Sequence, residues 1–486
     1  MHKQNSRYFR RIEQSTIMLL LLFFIGSCKK GDKLPNAAPD TKISFESINL
    51  SGENRLNSTV NLSWFGTDID GHILHYEIKI NEGDWVSTTT QDSTFLFEIS
   101  PNEDSTDIDF YVRAVDNDLL ADPTPAYLKV PLKNSPPEVS FDDESLPIDT
   151  TNLVITFRYT TSDPDGNNTL QKAFIRANSG SWKEISLGER LISIMPKNTT
   201  AVGQGVAELY YGLENSPSLE LDGFINDGDN IIQLKVSDIA NSESKIDSAS
   251  VIYVKPQTSD LLVISGNNTN NELKYKTLVN ANYSNADYIN YAGNGGLNQP
   301  RFWDPSFNLL ALRYDKVFFH TDEGNFSNPL TGADGTLLDF AAPSIQTLID
   351  NDKKVLVSTA FATGVDLSII GGVLSIDSLT SSKGQAFFTN DSFATSPILG
   401  YPDLQPSNFL LATDPIYPAL DAEILYTAQL TPSGGWTGPR TIAIQRKNQN
   451  DQVSLVLFTV PFHLLNKNVV NQNQVLSKIL NEAFNW

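Results

Sequence analysis

The chain has one cysteine, Cys28, among its 486 residues. No disulfide can form within it, and no cluster of thiolates is available to hold a metal. Histidine is almost as scarce, 5 in all, and beyond the first segment only His72, His75, His320 and His463 occur. None lies in an HExxH or other paired helical spacing, so a conventional zinc enzyme is not expected. Positive charge is also short. There are 35 Lys and Arg against 57 Asp and Glu, a formal net charge of -22. Such a surface repels phosphate backbones, and no basic stripe interleaved with aromatics offsets it, so no nucleic-acid partner is expected. An acidic exterior rich in Asn, Ser and Thr is read more simply as a soluble surface than as a steering device for cations.

The one long apolar run lies at the start. Lys3, Arg7, Arg10 and Arg11 precede an unbroken apolar stretch over residues 17–25, and Gly26 and Ser27 supply small residues before Cys28. A positive segment, a short apolar core and small residues make a signal peptide. The stretch is about half of the roughly 20 residues that a spanning helix needs. Ile25-Gly26-Ser27-Cys28 resembles a lipobox. The resemblance implies cleavage before Cys28, acylation of that cysteine and attachment to a membrane. The alternative is an ordinary signal peptide with an incidental cysteine. Lys29 stands where aspartate would favour inner-membrane retention in enteric-type lipoproteins, so the resemblance points to the outer membrane and leaves the leaflet open. Acylation would also use the only thiol and leave no cysteine nucleophile.

Punctuation divides the rest into three. Residues 29–40, with Gly31, Pro35 and Pro39 and no apolar period, read as a tether after the 1–28 signal. Breaks at Asn134-Ser135-Pro136-Pro137 and Lys255-Pro256-Gln257 delimit expected domains over 41–134, 135–256 and 257–486. The first two repeat one plan. Asp68-Ile69-Asp70-Gly71, a strand-like run and Asn81-Glu82-Gly83-Asp84-Trp85 in one match Asp163-Pro164-Asp165-Gly166, a run and Asn178-Ser179-Gly180-Ser181-Trp182 in the other. Each copy later has a strand ending in aspartate, at Asp116 and Asp238. Short strands with regular turn signals predict tandem β-sandwiches. The first resembles a fibronectin type III or related immunoglobulin-like domain over about residues 38–134. Val60-Asn61-Leu62-Ser63-Trp64 is similar to that family's second strand with its core tryptophan, Tyr76-Glu77-Ile78-Lys79-Ile80 to its third, and the run ending at Asp116 to its sixth. The second lacks the tryptophan, and residues 188–223 are long for one connection, as in a divergent relative with an insertion.

The DxDG loops invite two readings. Asp68 and Asp70, and Asp163 and Asp165, set paired carboxylates beside a turn-forming glycine, as a calcium site requires. Yet calcium takes about six or more oxygens, and aspartate and glycine also make an ordinary turn. Trp85 and Trp182 are open to a similar choice between sugar-stacking platforms and packing against the sheet.

From about residue 257, runs such as 261–264, 317–319, 355–357, 442–444 and 455–458 are separated by longer, partly helical stretches. Strands buried on both faces read this way, which predicts an α/β open sheet covered by helices. The succession of strand, helix and strand from Tyr314 to Thr359 resembles the class I glutamine amidotransferase-like, flavodoxin-like fold. Active members place a nucleophilic cysteine after a central strand, and here Val357-Ser358-Thr359-Ala360-Phe361-Ala362-Thr363-Gly364 has none. The family's chemistry is therefore not carried over. Ser358 could pair with His463 as nucleophile and base, although Ser358 lacks the flanking glycines of an elbow, and the alternative is a strand-end serine satisfied by backbone and a structural histidine. His320, Asp322 and Glu323 follow a strand at the end where open sheets bind ligands, and are candidate ligand-binding residues.

These features lead to the expectation of a membrane-anchored, exported, non-catalytic lipoprotein whose two sandwiches carry an α/β domain that binds a glycan or protein. An exported hydrolase of surface glycans or peptides is the second expectation, and a structural subunit of an envelope complex the third.

Overall fold

The computed structural model describes residues 35–485, apart from 48–49, 52–54, 57, 98, 100–102, 292–302, 304, 329–330, 362–364 and 381–384. The signal segment and Cys28 lie outside the described residues, as do Ala362, Thr363 and Gly364. No helix among the described residues is long and apolar enough to cross a membrane. The chain divides into two compact units, Met1–Ser135 and Pro136–Trp486.

The first unit is a β-sandwich. Its strands are β1 (Asp40–Ser47), β2 (Thr59–Thr67), β3 (Ile73–Ile80), β4 (Val86–Thr88), β5 (Asp92–Leu96), β6 (Ser105–Asp116) and β7 (Ala126–Lys133). One sheet has the order β1-β2-β5 and the other β7-β6-β3-β4, with the short pieces Leu50–Ser51 and Arg55–Leu56 beyond β7. Strand side chains alternate between faces, so the apolar positions Val60, Leu62 and Trp64 of β2 all turn inward and are 3%, 1% and 2% exposed. Trp64 lies at the centre. Its ring packs against Tyr76, Phe95 and Phe110 at centroid distances of 6.5, 6.3 and 6.2 Å, and its indole N–H donates to the Thr90 carbonyl at 3.0 Å. A buried indole N–H without such a partner would cost more than the bond contributes.

The second unit opens with a sandwich on the same plan. Strands β8 (Glu138–Phe141), β9 (Ile155–Ser162), β10 (Leu170–Ala177), β11 (Lys183–Ile185), β12 (Leu191–Pro196), β13 (Gly203–Tyr211), β14 (Leu219–Asn226) and β15 (Ile232–Asp238) form sheets of order β8-β9-β12-β13-β14 and β11-β10-β15, the latter extended by Asp247–Ser248. The long stretch after Gly188 is thus two added strands on one sheet. Tyr159 takes the place of Trp64: it is 1% exposed, and its hydroxyl donates to the Ser186 carbonyl at 3.2 Å.

β12 and β13 serve two cores by alternation. Ile194 and Leu209 face the sandwich interior, whereas Met195 and Tyr210 join a cluster with Leu262, Phe307, Val317 and Leu338 of the region that follows. Ser306 donates to Thr156 at 2.8 Å, and Arg313 to the Tyr210 hydroxyl at 3.1 Å. Fully burying one side chain of the size of Met195 contributes about 1.5–3 kcal/mol, so these contacts bind sandwich and sheet into one folding body.

That last region is built on β16 (Leu261–Gly266), α1 (Thr269–Asn282), β17 (Asp287–Asn290), α2 (Ser306–Ala311), β18 (Lys316–Thr321), α3 (Leu337–Asp350), β19 (Lys354–Ser358), β20 (Ala422–Ala428), β21 (Thr441–Lys447), β22 (Val453–Phe458) and α4 (Val469–Lys478). Five strands pair in parallel in the order β17-β16-β18-β19-β22, after which β21 adds antiparallel and carries β20. Every residue of β16, β18, β19 and β22 is buried, which is why their sequences run apolar without alternation. Leu262, Val317, Val355 and Leu455 face α2 and α3, while Val263, Phe318, Leu356 and Val456 face α1 and α4. Thr336 caps α3, its hydroxyl taking the Asp339 N–H while the Asp339 carboxylate takes the Thr336 N–H.

Candidate functional site

The C-terminal ends of the parallel strands bring several of the expected residues together. His320, in β18, lies opposite Ser358 of β19 and Ser265 of β16 in the sheet register. Its ring stacks on Tyr275 of α1 at a centroid distance of 3.9 Å and 17° between planes, and Nδ1 lies 2.8 Å from Nδ2 of Asn267. The Tyr275 hydroxyl is 2.8 Å from Ser358 Oγ, and the His463 ring meets the Tyr275 ring edge-on at 5.0 Å. Tyr275 is therefore the hub. It links the serine and both histidines, and none of the four is more than 6% exposed.

The polar atoms here are largely engaged with one another. Ser358 Oγ accepts the Phe462 N–H at 2.9 Å, so its hydrogen bonds run to a backbone amide and to Tyr275. Gln472 donates to the Phe462 carbonyl at 2.7 Å and fixes the turn that supplies that amide. Two ring nitrogens, His320 Nε2 and His463 Nδ1, are buried without a partner. The space bounded by Phe318, Leu356, Ser358 and Phe462 leaves no volume that a water molecule could enter.

Burial sets the charge state. It holds the His320 imidazole well below its ordinary range, with His463 and Lys276 adding to the effect. It also lowers His463 to about 4, with a contribution from Lys274. Burial pushes the Tyr275 phenol far above its ordinary value. All three are thus neutral near pH 7, as groups far from water must be. Serine attack needs a base within about 3.2 Å of the hydroxyl, and the groups at that distance from Ser358 are an amide donor and a phenol.

Asp322 and Glu323 sit apart from this cluster. The Asp322 carboxylate accepts the Gly324 N–H at 2.9 Å in its own turn, and Glu323 is exposed. Asn267 and Tyr275 were not candidates in the sequence. Asn267 follows Gly266 at the end of β16, where a glycine allows the close approach of Thr321, and that strand-end glycine was the available signal. Tyr275 lies inside a helix and carried none.

The DxDG carboxylates also accept backbone N–H groups, Asp68 and Asp163 within their own loops. Asp68 accepts the Asp70 N–H at 3.3 Å, Asp70 the Ala37 N–H at 3.1 Å and Asp163 the Asp165 N–H at 2.8 Å. Asp163 is 7% exposed, and burial raises its carboxyl above the usual range. Asp165 is buried beside it. Among the described residues, no three His, Cys, Asp or Glu side chains are grouped to hold a metal ion. The two motif tryptophans are partly buried and covered by cations: Arg113 lies 4.2 Å from the Trp85 ring centroid, Arg176 4.6 Å and Lys235 5.2 Å from that of Trp182. The motif asparagines, Asn81 and Asn178, hold left-handed backbone at φ 48° and 51°, and their side chains accept the N–H of Asp109 and Ile231 at 2.9 and 2.8 Å.

No protein family and no curated protein matches the chain. Solved structures do, and they are fibronectin III-like modules and other β-sandwich domains. The fibronectin(III)-like modules of CbhA from Clostridium thermocellum are 16% identical over 44% of this chain and 94% of theirs, with a TM-score of 0.16. A two-domain fibronectin type III segment of chicken tenascin is 11% identical over 45% and 99%, with a TM-score of 0.20. Latent PorU from Porphyromonas gingivalis is 10% identical over 47% of this chain and 21% of its own, with a TM-score of 0.17.

Proposed function

We propose that this chain is an exported lipoprotein, anchored in the outer membrane through acylated Cys28, that carries a non-catalytic C-terminal domain for binding a glycan or protein. The observation that supports the non-catalytic reading is the engagement of Ser358 by the Phe462 amide and Tyr275 within a closed, neutral cluster. The parallel strands follow the sequence order second, first, third, fourth, fifth, which is the flavodoxin-like order and supports the likeness to a glutamine amidotransferase-like domain without its cysteine. The calcium reading of the DxDG loops has less support than the turn reading, because their carboxylates already accept backbone N–H groups.

The test pairs two panels. The purified ectodomain should bind a component of a glycan or cell-surface protein array and leave a broad ester and peptide library intact. Turnover of that library with no binding would overturn the reading. An exported hydrolase is the second reading, favoured by the convergence of Ser358, His320 and His463 around Tyr275. Any turnover that survives both Ser358→Ala and His463→Ala would remove that pair from consideration.

A further inference from the structure

The two sandwiches make the same turn after β6 and after β15, and they fill it differently. In the first, Asp116 Oδ1 accepts the N–H of Asp118 and Leu120 at 2.8 and 2.9 Å, and the Leu119 N–H reaches the Asp116 carbonyl at 3.1 Å. In the second, Asp238 Oδ1 accepts the Ser242 N–H at 2.8 Å, and the Asn241 N–H reaches the Asp238 carbonyl at 3.1 Å. The residue in left-handed backbone is Leu119 at φ 66° in one and Asn241 at φ 63° in the other. Asparagine tolerates that region, whereas leucine there costs roughly 1–2 kcal/mol.

The strained leucine is also in water. Leu119 is 72% exposed, Leu120 41%, and Ile69 of the adjoining DxDG loop 90%. The second sandwich has Pro164, Asn241 and Ser242 at these places. Two backbone-anchoring bonds, His72 N–H to Asn117 Oδ1 at 2.8 Å and Asn117 N–H to the His72 carbonyl at 3.0 Å, hold the two loops side by side. An apolar tip has been set on a turn that favours polar residues.

The path of the chain says what faces it. Asn36 donates to Asp116 at 2.5 Å and the Ala37 N–H to Asp70 at 3.1 Å, so the chain enters the module across this tip. It leaves at the other end, where Lys133 pairs with Ser105. Cys28 precedes Asn36 by so few residues that the link, at about 3.3–3.6 Å each, spans at most roughly 30 Å. We propose that Ile69, Leu119 and Leu120 form a lipid-contacting tip that seats the first sandwich on the bilayer holding its anchor. This rests on the lipoprotein reading. The exposed carboxylates of Asp70 and Asp118 disfavour anionic lipid, so the fitting surface is zwitterionic.

Because acylation occupies Cys28, a cysteine introduced elsewhere is the only free thiol. Full-length acylated protein carrying Asp118→Cys with a fluorophore, in phosphatidylcholine vesicles containing a lipid-borne nitroxide quencher, should be quenched several-fold more than the same label at Asn241→Cys. Adding Leu119→Asp should return the quenching to the Asn241 level. Equal quenching at the two sites, or quenching unchanged by Leu119→Asp, overturns the proposal while the lipoprotein reading stands. An unacylated Cys28, read from the mass of the N-terminal peptide, overturns both.

Discussion

The two sandwiches of this chain share a strand plan and differ in what they are for. The first closes its core on Trp64, and the second on Tyr159, whose hydroxyl reaches Ser186 much as the Trp64 indole reaches Thr90. Both bonds go to the connection that follows the fourth strand of the module. The aromatic is interchangeable; the buried polar tip and its carbonyl are not. The second module then adds β13 and β14 to one sheet, and the outward Met195 of β12 and Tyr210 of β13 join another core. Two adjacent strands, β12 and β13, thus serve both the module and the larger domain.

Breaking the aromatic centres should expose that difference most. Trp64→Ala should cost about 3–5 kcal/mol, with lost protection confined to the first unit. Tyr159→Ala should spread instead into the sheet domain, because Met195 and Tyr210 tie the two cores. Peptide-resolved hydrogen exchange distinguishes the outcomes; equal confinement of both would dismiss the shared core.

Acid should sharpen the same contrast. His463 falls from an ordinary 6.5 to about 4 on folding, and burial also holds His320 well below its ordinary range. The unfolded chain therefore binds more protons between about pH 6.5 and 4, and stability must drop as pH falls through that window, with the His463 contribution levelling off below about pH 4. The loss attributable to His463 is on the order of 3 kcal/mol. Calorimetry from pH 7 to 4.5 should show the second unit's transition move down, and His463→Gln should flatten the slope.

Two smaller changes compare equivalent turns. A Cβ on Gly180 would lie 2.2 Å from the Asp222 carbonyl, whereas one on Gly83 would lie 3.0 Å from that of Ile80. Gly180→Ala should cost about 1–3 kcal/mol and Gly83→Ala less, since only the former forces backbone apart. Leu119→Asn should stabilise the first unit by about 0.5–1 kcal/mol by suiting the left-handed turn. A lower melting temperature would show that the leucine is held there by packing.

Much of the sandwich plan was legible because its causes are local. Val60, Leu62 and Trp64 alternate with polar residues, and the NxGxW asparagines sit where a left-handed turn must be. The Tyr159 substitution was not legible, since a motif search looks for an indole and the fold requires only a large ring with a polar tip. The candidate site was half legible. Ser358, His320 and His463 stand at strand ends and could be named. That Ser358 is engaged depends on a backbone N–H at Phe462 and on a tyrosine one helix away, and neither has a signature along the chain.

Chain direction through the first sandwich has a mechanical consequence. The chain enters along β1 and departs along β7 at opposite ends, and these outer strands pair with β2 and β6 over most of their lengths. A pull between the two ends therefore runs along the strands and loads their ladders in shear, with many hydrogen bonds resisting together. A module loaded in this way yields late under force.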